Sequence, residues 1–167
     1  MHDFIFKRGK LYCENVSIAS LVKQYGSPLF IYSQATLTRN FQQLDDALAP
    51  LDHTVCFAVK ANSNLGVLRT LANAGSGFDL VSGGELQRIV AAGGDPSKCV
   101  FAGVGKTEEE IELALKKGIY AFNAESEPEL VRIHKVARRL KKKAPIAVRV
   151  NPNVDAKTHA KITTGTY

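Results

Sequence analysis

One lysine closes an apolar run that has the length of a buried β-strand. Residues 54–60 read Thr-Val-Cys-Phe-Ala-Val-Lys, and the pair Ala61-Asn62 leads into a helical pattern. A strand that carries an amine to the rim of an apolar core desolvates it, and an uncharged amine is a nucleophile toward carbonyl groups. Lys60 is therefore a candidate catalytic residue. A lysine that merely marks the end of a strand and extends into water would give the same pattern.

The chain after Leu51 alternates short apolar runs with amphipathic segments, at a period of about twenty residues. The predicted strands are 54–60, 77–82, 99–103, 119–124 and 146–151. The predicted helices are 64–74, 83–92, 108–117 and 127–142. This alternation predicts parallel strands, either in a doubly wound sheet or in a (β/α)8 barrel. Because both folds place their sites at the carboxyl ends of the strands, Lys60 lies where a site is expected.

Three of the predicted helices begin with a capping box, in which a serine or threonine precedes a glutamate by three positions. The pairs are Ser82 with Glu85, Thr107 with Glu110, and Ser126 with Glu129. Glycines follow three of the helical patterns, where C-caps are expected, at Gly75, Gly93 and Gly118. The helix boundaries are therefore marked by local signals at both ends.

The glycine-containing segments are weak nucleotide signals. Gly75-Ser-Gly77 precedes its predicted strand, and Gly103-Val-Gly105-Lys106-Thr107 lacks the earlier glycine of a Walker A loop. We therefore expect neither segment to bind a nucleotide.

The first fifty residues follow a different pattern. Two apolar runs around Arg8-Gly9 predict a β-hairpin, residues 17–25 predict a helix that ends at Gly26, and residues 29–32 predict a strand. Ser33 is expected to cap a further helix. One face of that helix carries Leu37, Phe41, Leu44 and Leu48. We expect residues 1–27 to pack on a separate β domain and residues 28–167 to form the domain of alternating strands and helices.

The composition is typical of a globular protein, with 45% hydrophobic and 23% charged residues in a chain of 167. No apolar run is long enough to span a membrane, and the N-terminus lacks the layout of a signal peptide. The three cysteines, Cys13, Cys56 and Cys99, are too few and too far apart for a disulfide framework or a zinc site. We therefore expect a cytoplasmic protein without a metal or a membrane partner.

The net charge of +6 raises the question of nucleic acid binding. Much of the excess lies in residues 132–143, whose apolar neighbours recur at helical spacing. The basic side chains are therefore predicted to form the solvent-exposed face of an amphipathic helix. No aromatic residues are interleaved there to stack on bases, so we expect no nucleic acid partner.

Three segments, taken in order, resemble a known family. They are Phe57-Ala-Val-Lys60-Ala-Asn62-Ser-Asn64, Gly77-Phe-Asp79-Leu-Val-Ser82-Gly-Gly84-Glu85-Leu86, and Arg149-Val-Asn151-Pro152 with Lys157-Thr158-His159 and Thr163-Thr164-Gly165. The combination is similar to the N-terminal barrel of the fold type III pyridoxal-phosphate decarboxylases. The last segment is most similar to the branch of that family that acts on diaminopimelate, and less to the ornithine and arginine branches.

The resemblance implies a (β/α)8 TIM-type barrel with an added β domain, of which this chain would supply about five of the eight strands. It implies pyridoxal 5'-phosphate as the cofactor, bound as a Schiff base on Lys60. The implied reaction is decarboxylation of an amino-acid substrate, meso-diaminopimelate, to lysine. The implied state of the full-length protein is a homodimer.

The resemblance also assigns Asp79 and Arg149 to cofactor binding. Asp79 lies inside an apolar strand, and a buried carboxylate satisfied by its neighbours would look the same. Arg149 would equally fit a paired arginine of the core. The capping box explains Glu85 fully, and His159 is either an ordinary surface residue or part of a loop that approaches the site.

The family's stacking histidine, its glycine-rich phosphate loop, the acid that meets the pyridine nitrogen and the substrate-binding residues are all expected beyond residue 167. We therefore expect the chain alone to be weakly active or inactive. The alternatives are another decarboxylase or a racemase of the same fold, a non-catalytic pyridoxal-phosphate-binding barrel, and a basic nucleic-acid-binding domain.

Overall fold

The computed structural model describes residues 2–154, which form two β-sheets and six α-helices. The strands are β1 (Phe4–Lys7), β2 (Lys10–Cys13), β3 (Val16–Ser17), β4 (Cys56–Ala58), β5 (Gly77–Leu80), β6 (Cys99–Phe101), β7 (Ala121–Ala124) and β8 (Ile146–Val148). The helices are α1 (Ile18–Tyr25), α2 (Gln34–Leu48), α3 (Leu65–Asn73), α4 (Gly83–Ala91), α5 (Glu108–Lys117) and α6 (Glu127–Arg139). None of these helices is long and apolar enough to cross a bilayer.

The larger sheet is parallel, and its strands lie side by side in chain order, from β4 to β8. A doubly wound sheet reverses its strand order at a switch point, whereas a barrel adds each new strand beside the last. The observed order therefore favours the barrel of the two predicted folds. All five predicted strands exist, although each is shorter than its apolar run.

The core lies between the larger sheet and helices α3 to α6. Phe78, Phe101 and Phe122 on three successive strands are fully buried, and the rings of Phe101 and Phe122 stack with centroids 6.0 Å apart. Each buried ring contributes about 1.5–3 kcal/mol to stability by leaving water. The helices complete this core with Leu68, Leu71, Leu86, Ile89, Ile111, Ile133 and Val136. Packing on this scale holds the carboxyl rim of the sheet in a defined geometry.

The predicted capping boxes have three different outcomes. At α5 the box is complete: the Thr107 hydroxyl accepts from the Glu110 N–H, and the Glu110 carboxylate accepts from the Thr107 N–H. At α4 Ser82 accepts from the Glu85 N–H, but the Glu85 carboxylate accepts from Val81 instead.

At α6 the predicted box is wrong. The Ser126 side chain makes no cap hydrogen bond, and the Glu129 carboxylate accepts from the Glu125 N–H and from a buried lysine instead of from Ser126. The predicted glycine C-cap of α5 is confirmed, since Gly118 is left-handed with φ 72°.

The N-terminal residues form a small antiparallel sheet in the order β1–β2–β3, followed by α1. The predicted hairpin and helix are confirmed. The strand predicted at 29–32 is wrong: within residues 2–154 this segment pairs with no strand, and the Phe30 side chain is 85% exposed. Extended backbone becomes a strand only beside a partner edge, and the larger sheet begins later, at β4.

A cluster of polar side chains attaches the small sheet to the start of α2. Asp3 Oδ2 accepts from Thr36 Oγ1 at 2.6 Å and from Arg39 Nη2 at 2.8 Å. Glu14 Oε1 accepts from Ser33 Oγ at 2.8 Å. Hydrogen bonds from Arg39 and Thr36 hold the pKa of Asp3 below its usual value. The division into residues 1–27 and 28–167 stays a prediction.

Candidate active site

Lys60 follows β4 in a 3₁₀ turn, Val59–Ala61, and is not part of the strand. Val59 takes the core position and is fully buried, while the Lys60 side chain is 64% exposed. The predicted desolvation of this amine is therefore wrong for the part of the chain that the structure describes. The strand ends at Ala58, two residues earlier than the apolar run suggests, and the turn directs the lysine outward.

Asp79 is brought to Lys60 by the pairing of β4 with β5. It lies opposite Ala58 in the parallel register, and its Oδ2 is 3.9 Å from Lys60 Nζ. That distance is too long for a hydrogen bond but short enough for charge attraction. Nζ of Lys60 has no hydrogen-bond partner among residues 2–154, so the amine is accessible beside a single carboxylate.

Arg149 lies at a different part of the rim, directly after β8. Its N–H donates to the Ala124 carbonyl at 2.9 Å, and its Nη1 donates to Glu125 Oε2 at 2.9 Å. The side chain is 58% exposed, so Arg149 is paired but does not belong to the core. β4 and β8 are the two outer strands of the described sheet, and the structure therefore joins Arg149 to Glu125, not to Lys60 or Asp79.

The structure reveals a buried ion pair that sequence reasoning missed. Lys106 Nζ donates to Glu129 Oε1 at 2.6 Å, and the two side chains are 1% and 2% exposed. The same Nζ donates to the carbonyl oxygens of Gly103 at 2.7 Å and Asn123 at 2.9 Å. The only hints in the sequence were a lysine after a glycine-rich turn and a glutamate in the first turn of α6.

Glu125 connects this ion pair to Arg149. The Glu125 N–H donates to Glu129 Oε2 at 2.9 Å, and Glu125 Oε1 accepts from the Gly103 N–H at 2.7 Å. Together with the Arg149 hydrogen bond, these contacts join the loops after β6, β7 and β8. They border a surface pocket of about 390 Å³ that is lined by Ala102, Asn123, Glu125, Ala147, Val148 and Arg149.

The cysteines are free thiols and offer no activated nucleophile. Burial, with smaller contributions from Cys56 and Asp95, raises the pKa of Cys99 to about 12. Burial and the charge of Asp79 also raise the pKa of Cys56. Lys60, whose side chain is exposed, therefore remains the candidate nucleophile. The motif residues Lys157, Thr158, His159 and Thr163 to Gly165 lie outside the described residues.

Comparison with known proteins decides the family. The sequence model described as "Pyridoxal-dependent decarboxylase, pyridoxal binding domain" matches residues 34–167. The chain belongs to this family. The resemblance predicted from the three motifs is thereby confirmed, and the family is pyridoxal-dependent.

Several relatives of this pyridoxal binding domain are diaminopimelate decarboxylases. The one from Vibrio cholerae is 60% identical over 157 residues, which cover 94% of this chain and 38% of that protein. The crystal structure from Helicobacter pylori, complexed with L-lysine, is 43% identical with a TM-score of 0.84, covering 89% of this chain and 38% of that one. The structure of diaminopimelate decarboxylase from M. jannaschii has a TM-score of 0.90 at 36% identity, and the match covers 98% of this chain and 39% of that one.

The chain spans about two fifths of the length of the relatives it matches. The structural match confirms the predicted fold class: the pyridoxal binding domain is α/β, with the five-stranded N-terminal part of a TIM-type (β/α)8 barrel.

Proposed function

We propose that the chain binds pyridoxal 5'-phosphate covalently through Lys60 and takes part in the decarboxylation of meso-diaminopimelate to lysine. The observation that carries the proposal is the accessible Lys60 amine beside the Asp79 carboxylate, at the carboxyl rim of a pyridoxal binding domain. Carboxyl ends of barrel strands are where sites occur in this architecture.

The side chains at the rim fit the chemistry of that cofactor. An aldehyde requires an accessible amine, and Lys60 Nζ is exposed and has no hydrogen-bond partner in residues 2–154. An anionic or phenolic oxygen requires N–H donors, and a guanidinium has five. Among the same residues, Arg149 donates one side-chain hydrogen bond, to Glu125, so it retains donors for a ligand.

Each residue has a separate task in the proposed reaction. Pyridoxal phosphate, when bound, supplies an electron sink for the electrons released as a carboxylate departs as carbon dioxide. Lys60 holds the cofactor in one place, and the Asp79 side chain lies 3.9 Å from the attachment nitrogen. Arg149, held by Glu125, offers hydrogen bonds to oxygen atoms of the bound molecule.

The proposed substrate rests on the relatives. The Vibrio cholerae protein, 60% identical, is a diaminopimelate decarboxylase, and the Helicobacter pylori structure contains L-lysine, which is the product expected here. We therefore propose diaminopimelate as the substrate of this chain and lysine as its product.

The remaining proposals concern the assembly and location of the protein. Residues 1–27 are proposed to pack on a second β domain, and the full-length protein to be a cytoplasmic homodimer. Within residues 2–154, α1 has no buried residue and Tyr25 is 66% exposed, so an apolar face is available for packing. Light scattering of the full-length protein measures its mass, and a monomer would contradict the dimer.

The test of the cofactor proposal is chemical trapping on the 167-residue chain. The chain is mixed with pyridoxal 5'-phosphate, reduced with borohydride, digested and analysed by mass spectrometry. We expect one adduct, on the peptide that contains Lys60, and no adduct on the corresponding peptide of the Lys60→Ala variant. Lys98→Ala is the matched control, because Lys98 is also exposed but lies at the amino end of β6.

The substrate is tested by carbon dioxide release from meso-diaminopimelate, ornithine and arginine in the protein that carries this sequence. Release from diaminopimelate, lost in Lys60→Ala, supports the proposal. Preference for ornithine or arginine would overturn the substrate, and an adduct without any release would indicate a non-catalytic binding barrel.

A further inference from the structure

The Lys106–Glu129 pair is buried at the rim but is itself saturated. The three N–H groups of the Lys106 ammonium meet three acceptors, at 2.6, 2.7 and 2.9 Å. An ammonium has three hydrogens and no acceptor, so nothing remains for a ligand. The pair therefore cannot contact a substrate, and any functional effect has to pass through its neighbours.

Glu129 is the branching point of the network. One carboxylate oxygen binds Lys106 and the other accepts from the Glu125 N–H at 2.9 Å. This second contact fixes the backbone of Glu125 at the end of β7. A carboxylate held at both oxygens in a buried site has little freedom, since any rotation breaks a charge-assisted hydrogen bond.

Glu125 carries the constraint to Arg149. Its side chain is 11% exposed, and its two oxygens bind the Gly103 N–H at 2.7 Å and Arg149 Nη1 at 2.9 Å. Gly103 is in turn held by Lys106 through its carbonyl oxygen. The backbone of Glu125 is thus anchored to the buried pair through its N–H, and its side chain is anchored to the pair through Gly103.

Few packing contacts restrain Arg149, because both its side chain and the strand before it are exposed. Its side chain is 58% exposed, and β8 is exposed at all three of its residues. An exposed arginine loses considerable rotamer freedom when it binds a ligand. Glu125 removes part of that freedom before any ligand arrives.

We infer that Lys106 and Glu129 are positioning residues that act through Glu125 to orient the Arg149 guanidinium. The consequence for cofactor affinity rests on the proposed function, whereas the orientation of Arg149 does not. Neither residue touches the reacting atoms.

The orientation is tested by ¹⁵N NMR of the arginine guanidinium signals in the 167-residue chain without cofactor. The variants are Glu125→Gln and the double variant Lys106→Met with Glu129→Leu, which replaces the two buried ions by apolar side chains. We expect restricted rotation of the Arg149 guanidinium in the parent chain and free averaging in both variants. Glu112→Gln is the control, because it breaks a Glu–Arg pair of the same kind on the outer surface of α5.

The consequence is tested by the affinity for pyridoxal 5'-phosphate. We expect the double variant to weaken binding about tenfold, the loss of roughly one charge-assisted hydrogen bond. The same double variant in an Arg149→Met background should give no further weakening, because its effect passes through Arg149. A purely structural role would weaken binding equally in both backgrounds.

The two arms separate the possible failures. Unchanged Arg149 signals in the double variant overturn the inference, whether or not the cofactor binds. Free averaging in the variants supports it even when the parent chain binds no pyridoxal phosphate, a result that overturns the proposed function alone. Additive effects in the Arg149→Met background overturn the positioning role in cofactor binding.

Discussion

Two lysines lie at the same rim of the parallel sheet in opposite surroundings. Lys60, after β4, is 64% exposed and lies 3.9 Å from Asp79. Lys106, after β6, is 1% exposed and donates to Glu129 and to two backbone carbonyls. We call Lys60 with Asp79 the open side of the rim, and Lys106 with Glu129 the closed side.

The difference shows that one residue type can be saturated by its neighbours in one βα unit and exposed in another. On the closed side every hydrogen of the ammonium has an acceptor and the side chain is 1% exposed, so a carbonyl compound cannot reach the nitrogen. On the open side the amine has no hydrogen-bond partner among residues 2–154. Both lysines follow a strand of the same sheet. They differ because the neighbouring loops supply hydrogen-bond acceptors to Lys106 and, among residues 2–154, none to Lys60.

The largest expected effect is on the closed side. Lys106→Met leaves the Glu129 carboxylate buried without its cation, which costs about 3–5 kcal/mol of unfolding free energy. Urea unfolding at neutral pH measures this loss. Lys116→Met is the matched control, because Lys116 pairs with Glu112 on the surface and its loss should cost below about 0.5 kcal/mol.

A second variant distinguishes the buried charge from simple loss of packing. Adding Glu129→Leu to Lys106→Met removes the unpaired carboxylate and should recover much of the stability. A cost below about 1 kcal/mol for Lys106→Met alone would show that the two sides do not differ as described.

A medium effect is expected at Glu110, which lies between the two sides. Its carboxylate accepts from the Gly83 N–H at the start of α4 and from the Thr107 N–H at the start of α5, at 2.8 and 3.0 Å. Partial burial raises the pKa of Glu110, but these hydrogen bonds outweigh it and hold the pKa below 4.5. A lowered pKa means stability that is present above pH 4.5 and is lost as the pH falls through the folded-state pKa.

Glu110→Gln should therefore cost about 1 kcal/mol at neutral pH, and the difference from the parent chain should shrink below about pH 4.5. Urea titrations across this range give the result. Glu109→Gln, in the same first turn of α5, is the control for loss of charge alone. A difference that stays constant with pH would argue against an ionised Glu110 as the stabilising form.

The smallest effect on stability is expected on the open side. Lys60→Ala and Asp79→Asn should each change the free energy of unfolding by less than about 0.5 kcal/mol, because their contact is long and both side chains are partly exposed. The same urea experiment tests both variants. A loss above about 1.5 kcal/mol would mean that Lys60 is a structural residue, and the contrast between the sides would fail.

Much of the fold was predictable because it depends on short-range signals. Apolar runs located all five strands of the larger sheet, and glycine and capping residues located the helix ends within a few residues. The errors arose where a partner distant in sequence decided the outcome. Residues 29–32 pair with no strand among residues 2–154. The Glu129 carboxylate accepts from Lys106 and not from its predicted capping partner.

The site was predicted in part for the same reason. The motif around Lys60 and the acid at Asp79 could be recognised from local sequence, and the parallel register then placed them 3.9 Å apart. Arg149 was also identified, but its partner Glu125 was not. That pair is 24 residues apart and depends on how β7 and β8 align.

The sequence by itself determined the order of strands and helices, the family and the identity of the candidate nucleophile, since periodicity, caps and motifs act over a few residues. Only the tertiary structure decided that, of the two rim lysines, Lys106 is buried and Lys60 is exposed. Lys106 and Glu129 stand 23 positions apart and meet because packing of α5 and α6 on the sheet buries both side chains together. Charge satisfaction in a core depends on such long-range contacts, and no local pattern encodes them.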